Sequence, residues 1–175
     1  LSAAGKFTVI APNTKETKEK IRVVEEKIND WLIKIFYGES AIGISFIEAS
    51  CNEFTSEIFG DLWEKLSKEL EKKKHSKINL EKHGGVKDYL DQFNNDLNKK
   101  LCPFCGKRPS SGNVENDKLL GDEKSACKIC RDHIYVGANL VKASRIAITT
   151  LDADIYGDKL KEPIFGEYQV SLDVD

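Results

Sequence analysis

The sequence predicts an α+β fold, and three observations point to it. β-Forming runs lie near both ends, helical stretches with an apolar face fill the space between them, and two C-x-x-C pairs mark a small module too polar to be held by a core alone. Composition bounds the rest. Of 175 residues, 40% are apolar and 32% charged, which is a globular balance, and no apolar run approaches the roughly 18 residues a membrane helix needs. The reading is a soluble, cytoplasmic protein without membrane contact. With 27 basic against 29 acidic residues the net charge is −2, so no global field draws in nucleic acid, and any such contact would be local. There is no Met, and the chain opens directly on Leu1-Ser2-Ala3, so an internal piece of a longer protein is expected. Only four basic residues are Arg (Arg22, Arg108, Arg131 and Arg145), and Gln occurs twice, a Lys-rich, Gln-poor usage common in hyperthermophiles.

The elements run in order from the first strand. Phe7 to Ala11 is a β-forming run leaving a tight turn over Ser2 to Gly5 and stopped by Pro12. Asn13 or Thr14 then caps a helix whose core face is Ile21, Val24, Ile28, Trp31, Leu32 and Ile35, with Gly38 ending it. Ala41 to Cys51, rich in Ile and free of Pro, reads as a second strand. A second helix starts at Thr55, places Ile58, Phe59, Leu62, Trp63, Leu66 and Leu70 on one side, and ends in Lys72-Lys73-Lys74, where basic charge suits the helix dipole. Gly84-Gly85 breaks the chain before a third helix marked by Val86, Tyr89, Leu90, Phe93 and Leu97. Past the cysteines, a helix near Ile129 to Val141 gives way to a strand over Ile146 to Thr150. The last strand, within Phe165 to Val174, pairs back through the loop holding Gly157 and Pro163.

Cys102-Pro103-Phe104-Cys105 and Cys127-Lys128-Ile129-Cys130, separated by the 21 residues 106–126, are the most specific signal in the chain. Two residues between thiolates let both sulfurs of a pair face one ion from a single turn, and two pairs complete the tetrahedron that zinc prefers. Gly106 allows the positive φ such a turn uses, and a helix opening at Cys127 would favour thiolate through its dipole. Four sulfurs leave no open coordination position, so the site is structural. An iron–sulfur cluster would use the same ligands. Two disulfides fit poorly with the odd fifth Cys51 and the lack of secretory context, and a redox pair would explain one C-x-x-C but not two. Zinc binding supplies on the order of 10 kcal/mol, enough to order a polar loop such as Ser110 to Lys124.

Other signals have plainer readings. His133 is close enough to replace a ligand but reads as a solvent-facing helix residue, and Cys51 as a small buried apolar residue beside Ile47 and Phe54. Lys72 to Lys77 reads as a solvated helix end rather than a phosphate-binding patch. Asp152, Asp154 and Asp158 read as turn residues rather than metal ligands. No catalytic triad, phosphate loop or His-based metalloenzyme motif is present.

Leu1 to Thr14 resembles a segment in the first palm domain of the large, polymerase-like subunit of type III-A, Csm-type, CRISPR effector complexes. The order of the later motifs is also similar to that family: Asn29-Asp30-Trp31-Leu32, a strand, a Lys-rich linker, the paired cysteines, then Gly157 to Leu160 and Pro163 to Tyr168. The resemblance implies two ferredoxin-like palms of nucleotide-cyclase type flanking a zinc module. The second palm would carry a Gly-Gly-Asp-Asp hairpin that makes cyclic oligoadenylates from ATP with divalent metal. Laid on this chain, that hairpin puts Ala3 and Ala4 at the glycines and Gly5 and Lys6 at the aspartates. Without carboxylates no metal pair can be held, so the resemblance implies a degenerate palm that helps position ATP, with Ser2, Ala3, Ala4 and Gly5 as nucleotide contacts. It also implies a parent with single-stranded DNA nuclease activity, although this sequence lacks the nuclease's His-Asp pair. Implied partners are the rest of the same subunit, the other effector subunits, and CRISPR RNA and target nucleic acid through the complex.

The expected organisation is the second half of an inactive palm over 1–54, a helical linker over 55–100, the zinc module with its following helix over 101–150, and a β-rich segment over 151–175. In palm topology the strand between the two retained ones is missing, so another segment is expected to complete the sheet. The alternative is an autonomous zinc-ribbon module that binds nucleic acid.

Overall fold

The computed structural model describes residues 2–3, 5–36, 38–55, 57–76, 79, 81–82, 99–154 and 157–173. The chain divides into two compact units, Leu1–Gly85 and Val86–Asp175. The first opens on a small hairpin, β1 (Ser2–Ala3) against β2 (Lys6–Phe7), with Ser2 opposite Phe7 and Ala3 opposite Lys6. Gly5 in the turn sits at φ +75°, a conformation open to a residue without Cβ. The strand expected over Phe7 to Ala11 is found only as far as Phe7, the residue paired with Ser2 of β1. Phe7, Val9 and Ile10 remain more than 70% exposed.

Helix α1 (Lys15–Phe36) begins as read: the Thr14 hydroxyl oxygen accepts the Thr17 amide at 3.1 Å. It ends before Gly38, whose φ is +75°. Its inward face is shifted from the expected one. Ile33 and Asn29 are buried, Ile21, Ile28, Trp31, Leu32 and Ile35 are half-buried, and Val24 is exposed.

Asn29 explains a larger correction, because the described residues of Ala41 to Cys51 form no strand. The Asn29 side chain accepts the Ile42 amide at 2.9 Å and donates to the Ile42 carbonyl at 3.0 Å. Glu25 accepts the Ile44 amide at 2.9 Å. Two helix side chains thus satisfy backbone groups that a neighbouring strand would otherwise take. Gly43 lets the other side approach: a Cβ there would lie 3.3 Å from Cγ of Lys73, which itself pairs with Glu25 at 3.0 Å.

The segment ends in a 3₁₀ turn, Cys51–Phe54, closed by Glu53 accepting the Ser50 amide at 2.7 Å. Cys51 is exposed on this surface turn, correcting its reading as a buried residue at a strand end. Helix α2 (Phe59–Lys74) starts later than Thr55, and only Leu62 is fully buried. The Phe59 ring meets Phe54 on one side and Trp63 on the other in a partly exposed row, with ring centroids 6.4 and 6.0 Å away. The third helix expected over Val86 to Leu97 falls outside the described residues.

The second unit contains α3 (Lys128–Asn139) and the antiparallel pair β3 (Arg145–Thr150) and β4 (Tyr168–Asp173), as the sequence indicated. The register runs from Arg145 opposite Asp173 to Thr150 opposite Tyr168. Buried Gln169 donates to the carbonyls of Thr150, Leu151 and Ala153, which fixes the turn after β3. On the other edge of β4, the Leu160 amide donates to the Val170 carbonyl at 2.9 Å. Among the described residues no helix is long and apolar enough to cross a membrane.

Candidate metal centre

Residues 100–110 form the first cysteine turn. The Cys102 amide donates to the Arg108 carbonyl and the Gly106 amide to the Cys102 carbonyl, both at 2.8 Å, while Ser110 donates to Lys100 below them. Gly106, at φ +63°, makes the bend. The second pair is built on a helix start. Cys127 is the N-cap of α3, and its sulfur accepts the Cys130 amide at 3.4 Å. The amide of Ser111 donates to the Ala126 carbonyl at 2.9 Å and so holds the two turns side by side. Between them run two 3₁₀ turns (Gly112–Val114 and Lys118–Leu120), in which Val114 and Leu120 are buried, as are Cys102, Ala126 and Ile129.

Cys102, Cys105, Cys127 and Cys130 come together, their sulfurs all within 4.8 Å of one another. A tetrahedral zinc with Zn–S of about 2.3 Å sets its sulfurs roughly 3.8 Å apart, so closing the site takes about 1 Å of movement at most. The donor set fits a four-thiolate ion and offers no open position. Burial pushes the Cys105 thiol up, but the amides of Arg108 and Lys107, with the neighbouring Cys130 and Cys102 sulfurs, bring it down to about 6. Burial raises Cys127, opposed by the Cys130 amide and sulfur and helped by the charges of Cys102 and Cys105; burial also raises Cys130, and the other three cysteines raise it further. A cation among the four sulfurs relieves that repulsion.

Sequence reasoning missed the polar cluster directly behind the cysteines. Arg131 is almost wholly buried, with Nε 2.8 Å from Asp117 Oδ2, Nη1 2.8 Å from the Lys159 carbonyl, and Nη2 on Asp158. Asp158, read from sequence as a turn residue, is therefore an ion-pair partner. The signal was the rarity of Arg in a Lys-rich chain, since a buried fork of donors selects Arg over Lys. Asp117 stays below the usual carboxylate range: burial opposes this, but the Leu119 amide and Arg131 outweigh it. His133 is exposed, as expected. Lys72, Lys73 and Lys74 pair with Glu69, Glu25 and Glu71, which agrees with a solvated helix end. Ser2, Ala3 and Gly5 lie in or beside the first hairpin, and Ala4 is outside the described residues.

The family model for Csm1 subunit domain B matches residues 1–88, half of the chain. The chain belongs to the Csm1 family. It is 26% identical to the CRISPR system single-strand-specific deoxyribonuclease Cas10/Csm1 (subtype III-A) of Thermococcus onnurineus, over 81% of this chain and 18% of that protein. The protein of the same description from Enterococcus italicus is 22% identical over 59% of this chain and 16% of its own length. The chain thus spans less than a fifth of the length of these curated relatives. No solved structure matches it.

Proposed function

We propose that this chain serves as the central section of the large subunit of a type III-A CRISPR effector complex, with a structural zinc at Cys102, Cys105, Cys127 and Cys130. Convergence of the four sulfurs within 4.8 Å, on one bend and one helix start, carries the metal assignment. The match of residues 1–88 to Csm1 subunit domain B supports the place in the subunit. Bound there, zinc supplies a cross-link and no reaction step. The bend at Gly106 and the start of α3 position it.

The first unit acts as half of a non-catalytic palm. Gly5 and Lys6 at the hairpin offer no carboxylate for divalent metal, so its contribution to cyclic oligoadenylate synthesis is to place ATP beside an active partner palm through the backbone around Ser2 to Gly5. A segment of the parent protein completes the sheet that residues 7–11 and 41–50 leave unformed. The other effector subunits, CRISPR RNA and target nucleic acid meet this chain through the assembled complex. Gly5→Val in the parent subunit tests the nucleotide role, because a β-branched residue cannot hold φ +75° without strain. A fall of at least tenfold in ATP affinity, with the complex still assembled, is expected; unchanged affinity would contradict the assignment.

A further inference from the structure

The two residues after Cys130 do not face the cysteines. They hold segment 158–162, which meets β4 through the Lys159–Ser171 bridge and the Leu160 amide on the Val170 carbonyl. Asp132, 6% exposed, accepts the Lys161 amide on Oδ1 at 2.8 Å and the Glu162 amide on Oδ2 at 2.9 Å. Arg131 donates to the Lys159 carbonyl and pairs with Asp158, and its guanidinium lies 4.9 Å over the Tyr135 ring. One turn further along α3, the Tyr135 hydroxyl donates to the Asp158 carbonyl at 2.7 Å and accepts the Leu172 amide of β4 at 3.0 Å. Lys128, between the two cysteines of the second pair, reaches Glu162 at 3.1 Å. The same first turn of α3 therefore carries two sulfurs on one side and, on the other, the groups that seat 158–162 against β4.

We infer that Arg131, Asp132 and Tyr135 couple metal loading at the four cysteines to the seating of segment 158–162 on β4, so that the free edge of the β3–β4 pair is covered only when the ion is bound. This rests on the zinc reading. The physical reason is that Asp132 is buried with both oxygens committed to amides of one segment. If the first turn of α3 frays, both bonds are lost together and the Lys161 and Glu162 amides must find water. Tyr135 then loses its hold on Asp158 and Leu172 by the same movement. Arg131, Asp132 and Tyr135 are positioning residues that act on the hairpin through the helix start.

Hydrogen exchange on the full chain tests this, with metal content read by native mass spectrometry on the same samples. Zinc-loaded and chelated protein are compared for the wild type, Asp132→Asn and Tyr135→Phe. In the wild type, chelation is expected to lower protection across 158–172 by at least tenfold. Each variant is expected to keep one zinc per chain yet show lowered protection there even when loaded. The decisive quantity is additivity. If the device exists, chelating a variant removes little more protection than either change alone. A merely local structural role would make the two effects multiply, and that result overturns the inference, as does wild-type protection that survives verified metal loss. Protein that never takes up zinc instead overturns the metal reading itself, and the inference with it.

Discussion

At Asn29 one side chain does the work of a strand edge. Its two bonds to Ile42 hold an extended segment to α1, so Asn29→Ala is expected to lower stability by roughly 1–3 kcal/mol, read from the urea midpoint at an unchanged slope. Asn29→Asp accepts the Ile42 amide but faces its carbonyl with another acceptor, and should fall at least as far. Asp117 makes a prediction with a sign. Its carboxyl lies below the ordinary value in the folded state, so its stabilising effect is complete above about pH 4 and fades as pH falls through the lowered value. Asp117→Asn should therefore cost about 2 kcal/mol at neutral pH, the order of a charge-assisted hydrogen bond, with the gap to wild type narrowing in acid. An equal gap at pH 7 and pH 3 would show that the Arg131 pair is not the source.

Local pattern announced some elements well and others poorly, and the difference is physical. Helix α1 carries its own cap and stop in Thr14 and Gly38, and the β3–β4 pair carries its β-branched run and a Gly- and Pro-containing loop, so each was legible in the sequence. The cysteine spacing was legible for the same reason: ligand geometry is encoded locally. Ala41 to Cys51 has equally good strand composition but pairs with no strand among the described residues, and strand formation depends on pairing rather than on propensity alone. The Arg131 cluster joins that residue to Asp117 and Asp158, 14 and 27 positions away, and no short-range periodicity signals such contacts. Gln169 is comparable, since its three carbonyl partners belong to the end of the other strand and the turn after it. Gln169→Ala is expected to destabilise the β3–β4 pair by roughly 1–3 kcal/mol by leaving those carbonyls without their donor, measured as a lower melting temperature of the zinc-loaded chain.

Across the chain the charge is nearly balanced, and the lysines ending α2 are engaged by glutamates. Nucleic-acid binding by this chain alone should therefore be weak, with a shallow dependence on salt; a steep dependence would favour the zinc-ribbon alternative. The exposed Phe7, Val9 and Ile10, with the run 41–50 that forms no strand, set an expectation for the proposed large subunit. Amides in both segments should exchange slowly there and quickly in this chain alone, and equal exchange in the two would argue against sheet completion. The central claim, however, is that one ion orders the second unit through four thiolates. Its most direct test is metal content by elemental analysis of the purified chain beside Cys102→Ser. One zinc per chain, lost in the variant together with cooperative melting of residues 99–173, is the predicted result; a metal-free wild-type chain that melts cooperatively with its four cysteines reduced would contradict it.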